Sequence, residues 1–264
     1  MNRKIAIIGG GNLGTAIAEG LLKSGYSEPG SLYITRRNPA LLQPLQNRGV
    51  NVLADNRTAV QDAGIVLLCV KPFQVVDVLR EIAPVLGAGQ VLVSVVTGVS
   101  LQELGEIAGK EQVLFRAMPN TAIAIQESMT CLSYHQAEAE QVREVNALFS
   151  RLGKVVTIDE KLMDAATVLG ACGTAYAMRY IRANIQGGIE IGFDALTASI
   201  IAAQTVKGAA ELLLQKGSHP EQEIDRVTTP KGCTIAGLNE MEHRGFSSSL
   251  IRGLVASYRK ITRD

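Results

Sequence analysis

Tryptophan is absent from this chain of 264 residues, and aromatic residues make up only 4% of it. Proteins that bind single-stranded nucleic acid stack bases on such rings, so the sequence supplies few platforms for that function. An excess of positive charge is lacking as well, because 26 Lys and Arg residues face 25 Asp and Glu residues. DNA-binding proteins hold phosphates with a basic surface. We therefore expect no nucleic-acid partner.

Closely spaced metal ligands are also absent. The four cysteines are far apart, so there is no CxxC motif, and the three histidines form no HExxH motif or other close pair. We expect no bound metal. Cys69 and Cys131 have mostly apolar neighbours and are expected to be buried.

No segment is typical of a secretory signal or a membrane span. The longest stretch without charge, residues 82–102, approaches the ~20 residues of a membrane-spanning helix, but Pro84 and three glycines interrupt it. The first residues enter a strand pattern without a long apolar leader. We expect a cytoplasmic protein with no membrane partner.

Short apolar runs alternate with amphipathic stretches in the first 160 residues. This alternation predicts βαβ units and a parallel sheet covered by helices on both faces. A β-sandwich is disfavoured, since the segments between the runs have helical character. The predicted strands are 5–8, 32–35, 50–53, 65–70, 91–96, 112–116 and 154–158. The predicted helices are 13–23, 39–48, 75–82, 137–151 and one opened by the Ser100–Glu103 capping box.

After residue 159 the strand pattern stops, and the chain is almost entirely helical to residue 261. We predict an α/β protein: an N-terminal Rossmann-type dinucleotide-binding domain (1–160) followed by an all-helical C-terminal dimerisation domain (161–264). Helices 176–191 and 194–215 carry little charge around most of their circumference, which is typical of buried helices. A domain of only ~100 residues buries two such helices with difficulty. We expect a homodimer; a well-covered monomeric bundle is the alternative.

A glycine-rich turn follows the first predicted strand and opens a helix. Its sequence is Gly9-Gly10-Gly11-Asn12-Leu13-Gly14, which is GxGxxG in the context of a dinucleotide site. Gly9 permits the tight turn, Gly11 lets the backbone approach a pyrophosphate, and Gly14 lets the helix pack on the sheet. The pyrophosphate is then held by N–H groups at the helix N-terminus.

The end of the second predicted strand reads Thr35-Arg36-Arg37-Asn38 and has no carboxylate. Enzymes that use NAD usually place Asp or Glu there, whereas arginine suits the 2′-phosphate of NADP. We predict a preference for NADPH, with NADH still possible; the alternative is that both arginines are ordinary surface charges. A second marker, Cys69-Val70-Lys71-Pro72, ends a buried strand where such sheets bind ligands. Lys71 either contacts the cofactor or an acidic substrate, or only caps the strand in water.

Several motifs, in the same order along nearly the whole chain, resemble the pyrroline-5-carboxylate reductase family. The match is most specific in the Arg-x-Met-Pro-Asn segment and in the later Val-Thr-x-Pro-x-Gly-x-Thr segment. The motifs are the GxGxxG turn, Val70-Lys71-Pro72, Arg116-Ala117-Met118-Pro119-Asn120-Thr121, residues 204–210, His219-Pro220 and Val227-Thr228-Thr229-Pro230-Lys231-Gly232-Cys233-Thr234-Ile235.

The resemblance implies hydride transfer from NAD(P)H to the imine carbon of 1-pyrroline-5-carboxylate, which gives proline. It also implies a helical dimerisation domain, and dimers that can assemble into rings of five. The implied cofactor contacts are Gly9, Gly11, Asn12, Leu13 and Gly14 on the pyrophosphate, Thr35 and Arg36 on the adenosine phosphate, Asn56 near the adenosine, and Cys69 and Lys71 along the cleft. The loop from Thr229 to Thr234 would bind the substrate carboxylate, with Thr234 beside the ring nitrogen.

The residues of this loop are consistent with that chemistry. Because the loop precedes a predicted helix near Thr234, its N–H groups and hydroxyls form a plausible carboxylate site. Gly232 and Cys233 belong to it, and Lys231 either adds charge or faces water. Thr234 is the candidate catalytic residue, donating a hydrogen bond to the imine nitrogen; the alternative is that Thr234 is only a helix N-cap.

The chain departs from the family pattern at the substrate end. Thr229, Lys231 and Cys233 replace Ser, Gly and Thr, and Ala171-Cys172-Gly173-Thr174 stands in place of Ser-Gly-Pro. These departures leave two alternatives open. One is a reductase for another cyclic imine or a hydroxy acid, with Lys207 as the only serious acid/base candidate. The other is a sensor that binds NADPH without turnover.

Overall fold

The structure is a computed structural model and describes residues 3–262. The chain divides into two compact units, the first ending at Cys172 and the second beginning at Gly173. The domain limits at residues 160 and 161 stay a prediction. Each unit is described by itself below.

The first unit is built on one sheet of eight strands in the order β3-β2-β1-β4-β5-β6-β7-β8. The order reverses at β1, which lies between β2 and β4, as in doubly wound dinucleotide-binding folds. All neighbouring strands are parallel except β6 and β7. The strands are β1 (Ile5–Ile8), β2 (Leu32–Thr35), β3 (Asn51–Leu53), β4 (Ile65–Leu68), β5 (Val91–Ser94), β6 (Val113–Met118), β7 (Ser128–His135) and β8 (Gly153–Thr157).

Helices connect the strands and cover both faces of the sheet, as predicted. They are α1 (Asn12–Lys23), α2 (Gln43–Gln46), α3 (Asn56–Val60), α4 (Val75–Ile82), α5 (Leu101–Ala108), α6 (Ala139–Ser150) and α7 (Met163–Ala166). A π-helix, Thr167–Cys172, ends the unit. Short 3-10 turns lie at Pro29–Ser31, Pro39–Leu42, Pro72–Gln74, Ala83–Val85, Thr121–Ile125 and Glu160–Leu162.

Alternating side chains of β1 separate two cores. Ile5 and Ile7 pack with α1 and α6 on one face, whereas Ala6 and Ile8 pack with α3, α4 and α5 on the other. A strand that is apolar on both faces reads as a continuous apolar run, which is why β1 and β4 could be found from sequence. The Rossmann-type prediction is confirmed.

Three details of the prediction are wrong. Strand β7 was not expected, and its antiparallel pairing with β6 breaks the all-parallel sheet. Its sequence, SMTCLSYH, buries Ser128, Thr130 and Ser133 and so lacks an apolar run. The predicted helix 39–48 is a 3-10 turn followed by the single turn of α2, because Pro39 and Pro44 remove backbone donors. The fourth and fifth strands end at Leu68 and Ser94, so residues 69–70 and 95–96 lie outside the predicted strands.

The second unit contains five helices among its described residues. They are α8 (Gly173–Glu190), α9 (Ala195–Lys216), α10 (Pro220–Val227), α11 (Cys233–His243) and α12 (Phe246–Thr262). Helix α9 begins at an N-cap, Asp194, whose carboxylate accepts hydrogen bonds from the N–H groups of Leu196 and Thr197. Helices α8 and α9 pack closely, since a Cβ on Gly188 would lie 3.2 Å from the Ala198 Cβ.

The helices of the second unit expose large apolar side chains in the single chain. Within the described part of α8 and α9, Ala198 and Ala202 are the only buried residues. Ile191, Leu196 and Leu214 are among the side chains left to water. So many large apolar side chains exposed on the helices of one unit indicate an interaction face. Searching the described residues for a helix long and apolar enough to cross a membrane finds none.

Candidate functional site

A cleft of about 890 Å³ opens at the carboxyl ends of β1, β2, β4 and β5. This edge of the sheet, where the strand order reverses, is where doubly wound folds bind nucleotides. Three segments that the sequence singled out meet there: the glycine-rich turn, the end of β2 and the end of β4. Of the predicted cofactor residues, the cleft is lined by Gly9, Gly11, Asn12, Leu13, Thr35, Arg36, Arg37, Asn56, Cys69, Lys71 and Pro72.

The glycine-rich turn has the geometry that a pyrophosphate needs. Gly9 has φ +109°, and a Cβ there would lie 2.7 Å from the Cys69 carbonyl oxygen. Next to Gly11 there is open space, with nothing within 4 Å of an added Cβ. Gly11 is the N-cap of α1 and supplies no side-chain cap, so the first N–H groups of the helix remain for a ligand.

Gly14 has a different place from the other glycines. It does not line the cleft, and a Cβ on it would collide with the Gly9 carbonyl oxygen and lie 3.2 Å from Cγ2 of Ile7. Gly14 therefore lets α1 pack closely against β1 and the glycine-rich turn.

The end of β2 holds the glycine-rich turn in place. The Thr35 hydroxyl oxygen accepts a hydrogen bond from the Gly9 N–H at 3.2 Å, and the Gly10 N–H donates to the Thr35 carbonyl at 2.6 Å. The Arg36 guanidinium donates to the Gly10 carbonyl at 2.8 Å. One of its five N–H donors is thus engaged, and the group is held at the cleft wall. Arg37 lines the cleft and is exposed.

The remaining predicted residues that line the cleft are Asn56, Cys69, Lys71 and Pro72. Asn56 is the first residue of α3, and its amide nitrogen donates to a Glu81 carboxylate oxygen at 3.0 Å. Burial raises the pKa of the Cys69 thiol to about 12, so this thiol stays neutral. Lys71 is exposed and precedes the turn that Pro72 opens.

Sequence reasoning missed part of the cleft lining. Thr97 lines the cleft because it follows the end of β5 at Ser94. Residues that follow a parallel strand lie at the ligand-binding edge of the sheet, so the sequence could have indicated Thr97. No sequence signal pointed to Glu81. The lining residues outside the segments that the sequence singled out are Ala54, Gln74, Val78, Glu81, Val95, Val96 and Thr97.

The predicted substrate residues lie in the second unit, around the start of α11. Lys231 has φ +60°, a left-handed conformation that is uncommon for a residue with a side chain. The Gly232 N–H donates to the Thr229 carbonyl at 2.9 Å, and a Cβ on Gly232 would lie 2.5 Å from the Thr229 hydroxyl oxygen. This close approach explains the glycine.

Gly232 is the N-cap of α11, and Cys233 is the first residue of the helix. The interpretation of Thr234 as an N-cap is therefore wrong, since Thr234 lies one position inside the helix. A glycine N-cap offers no side-chain acceptor to the first N–H groups. The substrate-carboxylate site that the sequence places at these N–H groups, the Thr229 hydroxyl and Thr234 stays a prediction. Searching residues 3–262 finds no group of His, Cys, Asp and Glu suited to a metal ion.

Two family models match the chain. The model for pyrroline-5-carboxylate reductase dimerisation matches residues 160–263. The model for NADP oxidoreductase, coenzyme F420-dependent, matches residues 4–98 and so covers the cleft from β1 to the end of β5. The dimerisation model covers the helices whose apolar faces are exposed in the single chain. The chain is thus built to form a homo-oligomer.

Similar proteins point the same way. Pyrroline-5-carboxylate reductase 1 of Dictyostelium discoideum is 45% identical over 96% of this chain, which spans about half of that relative's length (48%). Pyrroline-5-carboxylate reductase 2 of the same organism is 41% identical over 100% of this chain and 93% of the relative. The crystal structure of Plasmodium falciparum pyrroline carboxylate reductase with NADP bound has a TM-score of 0.89, 26% identity, and coverage of 98% of this chain and 97% of that one. This chain belongs to the pyrroline-5-carboxylate reductase family.

Proposed function

We propose that this chain reduces 1-pyrroline-5-carboxylate to L-proline by hydride transfer from NADPH to the imine carbon. The observation that carries the proposal is the match to a pyrroline-5-carboxylate reductase at 41% identity along 93% of that relative. The cleft at the switch point of the sheet supports it independently, because its open glycine turn fits a dinucleotide. When bound, the nicotinamide supplies the hydride.

The glycine turn binds the pyrophosphate of the cofactor in this proposal. Gly11, Asn12 and Leu13 present backbone N–H groups at the start of α1, where the helix dipole favours negative charge. Gly9 and Gly14 shape the turn. Asn56 contacts the adenosine half, and Cys69, Lys71 and Pro72 line the cleft beside the cofactor.

Arg36 and Arg37 set the preference for NADPH over NADH. Both line the cleft at the end of β2, where NAD-specific enzymes usually have a carboxylate. A charge-assisted hydrogen bond contributes roughly 1.5–3 kcal/mol, so one arginine favours a 2′-phosphate about tenfold to a hundredfold. NADH remains a weaker donor, since the pyrophosphate contacts are common to both cofactors.

The start of α11 binds the substrate carboxylate. Backbone N–H groups after Gly232, the Thr229 hydroxyl and the Lys231 ammonium are the proposed donors, and Cys233 lines the same end. Thr234 donates a hydrogen bond to the ring nitrogen. That nitrogen is basic enough to be partly protonated near neutral pH, so Thr234 orients it and relays a proton rather than acting as a strong acid.

The test replaces the Thr234 hydroxyl. NADPH consumption is followed with 1-pyrroline-5-carboxylate, with its six-membered homologue and with 3-hydroxy acids. Thr234→Ala is expected to lower kcat about tenfold to a hundredfold, the equivalent of one hydrogen bond to a charged group. Thr234→Ser keeps the hydroxyl and is the matched control. Unchanged turnover in Thr234→Ala would remove the catalytic role of this residue.

We also propose that the homo-oligomer is a dimer that assembles further into a ring of five dimers. Exposed apolar side chains on α12, including Ile251 and Val255, support contacts beyond the α8–α9 pair. Light scattering tests this proposal, since ten chains of 28.1 kDa are easily distinguished from two.

The four free thiols support a reducing compartment, so we place the enzyme in the cytoplasm.

A further inference from the structure

The Arg116–Asn120 motif carries much of the family resemblance but has no task in the proposed reaction. Arg116 lies near the end of β6 with only 7% of its side chain exposed. Its guanidinium donates to a Glu160 carboxylate oxygen at 3.0 Å. A buried cation is costly without a partner, so the carboxylate is needed where it lies.

The same Glu160 oxygen reaches a second element. It accepts a hydrogen bond from the Leu101 N–H at 2.6 Å, which is the first N–H of α5. The segment just before α5 includes Val95 and Thr97, which line the cofactor cleft. One carboxylate oxygen therefore joins the end of β6, the start of α5 and the turn Glu160–Leu162.

The neighbours of Arg116 on the sheet do not supply an alternative partner. Ser94 and Ser133 lie directly beside it in the strand register, on β5 and β7. Among the described residues, the hydroxyls of both serines and Nε of Arg116 are buried without a hydrogen-bond partner. Loss of the Glu160 carboxylate would leave this row with an unpaired charge.

Asn120, at the end of the motif, makes a second connection to the same part of the chain. Its amide nitrogen donates to the Gly170 carbonyl at 3.3 Å, while its amide oxygen accepts from the Ala122 N–H at 3.0 Å. Gly170 lies in the π-helix Thr167–Cys172, which leads directly into α8. π-Helical turns are frequent at functional sites.

We propose that Arg116 and Asn120 are positioning residues that clamp residues 160–172, through Glu160 and Gly170, and thereby set the rate of the reduction. The effect on rate rests on the proposed function. Segment 160–172 ends the first unit and leads into the helical unit that carries the proposed substrate loop, and Glu160 also holds the loop beside the cofactor cleft. Hydride transfer requires reacting atoms at near-contact distance, and small displacements lower the rate steeply.

The experiment compares variants that separate the individual bonds. Glu160→Ala removes the carboxylate, whereas Glu160→Gln keeps an oxygen that can accept from Leu101 and Arg116. Asn120→Asp keeps the acceptor for Ala122 but cannot donate to Gly170. Ser133→Ala removes a neighbouring buried hydroxyl that has no partner and is the control.

Two readouts are taken on the full-length oligomer. Hydrogen exchange of residues 163–172 is expected to change little in Ser133→Ala and to accelerate less than about threefold in Glu160→Gln, which keeps both acceptor contacts but leaves Arg116 without an opposite charge. It is expected to accelerate about tenfold in Glu160→Ala and Asn120→Asp. Turnover per NADPH-binding site is expected to fall about tenfold in the same two variants, with the Kd for NADPH within about threefold of the parent.

Unchanged exchange in both Glu160→Ala and Asn120→Asp would overturn the clamp. Faster exchange with unchanged turnover per NADPH-binding site would overturn the positioning role, because a merely structural bond lowers only the number of folded sites. Absence of turnover in the parent protein would refute the proposed reaction, and the exchange data would still decide on the clamp.

Discussion

Gly11 and Gly14 belong to one motif, yet replacing each of them by alanine should impair a different property of the protein. An added Cβ at Gly11 meets nothing within 4 Å, so the protein accommodates it. An added Cβ at Gly14 collides with the Gly9 carbonyl oxygen, which is backbone and cannot move aside without reshaping the turn. Gly11→Ala should therefore impair binding alone, and Gly14→Ala should impair folding first.

The magnitudes follow from these contacts. Gly11→Ala is expected to change the free energy of unfolding by less than about 0.5 kcal/mol, as for a surface substitution. Its methyl group keeps the pyrophosphate from the N–H groups of α1; losing one charge-assisted hydrogen bond weakens NADPH binding about tenfold to a hundredfold. Gly14→Ala is expected to destabilise the apoprotein by about 1–3 kcal/mol, the usual effect of overpacking.

Urea unfolding of the apoprotein and NADPH titration by fluorescence separate the two effects. Gly30→Ala is the matched control, because it also adds a methyl group in open space but lies before β2, outside the cleft lining. NADPH binding by Gly11→Ala with the parent affinity would refute the assignment of the turn to the pyrophosphate. Parent stability in Gly14→Ala would refute the packing argument.

Three further predictions concern single side chains. Arg36→Ala should weaken NADPH binding about tenfold to a hundredfold and leave NADH binding nearly unchanged, with a smaller effect in the exposed Arg37→Ala; titrations with both cofactors check this. Lys231→Gly should raise the free energy of unfolding by about 0.5 kcal/mol. Glycine removes the strain of the left-handed conformation, and this gain exceeds the loss from the greater freedom of the unfolded chain. The midpoints of urea unfolding measure the difference. Iodoacetamide at pH 8 should label the exposed Cys233 well before Cys69, because a pKa of about 12 keeps the Cys69 thiolate scarce. Peptide mapping measures the order of labelling, and faster labelling of Cys69 would contradict the prediction.

The parts of the fold that could be read from the sequence are those with strong local signals. The run Ile5–Ile8 is buried on both faces. It is followed directly by the closely spaced glycines that a dinucleotide-binding turn requires. Arg36 could be placed in the cleft because the end of a parallel strand fixes where the next residues lie. The low charge of α8 and α9 likewise indicated apolar helix faces, which the single chain does not bury.

What could not be read depends on contacts between distant residues. The antiparallel strand β7 is polar enough that only its pairing with β6 defines it. The Arg116–Glu160 pair joins residues 44 positions apart, and nothing in either local sequence names the partner. The N-cap at Gly232 was missed because hydroxyl residues are the preferred caps, and Thr234 lies only two positions after it.

The most direct test of the central claim is NADPH consumption with 1-pyrroline-5-carboxylate, followed by nicotinamide absorbance and by detection of proline. The six-membered imine is run beside it. We predict rapid turnover of the five-membered imine, with Lys231 and Cys233 as tolerated variations of the substrate loop. Tight NADPH binding without turnover of this imine would contradict the account and would mean that the altered loop serves a different substrate or none.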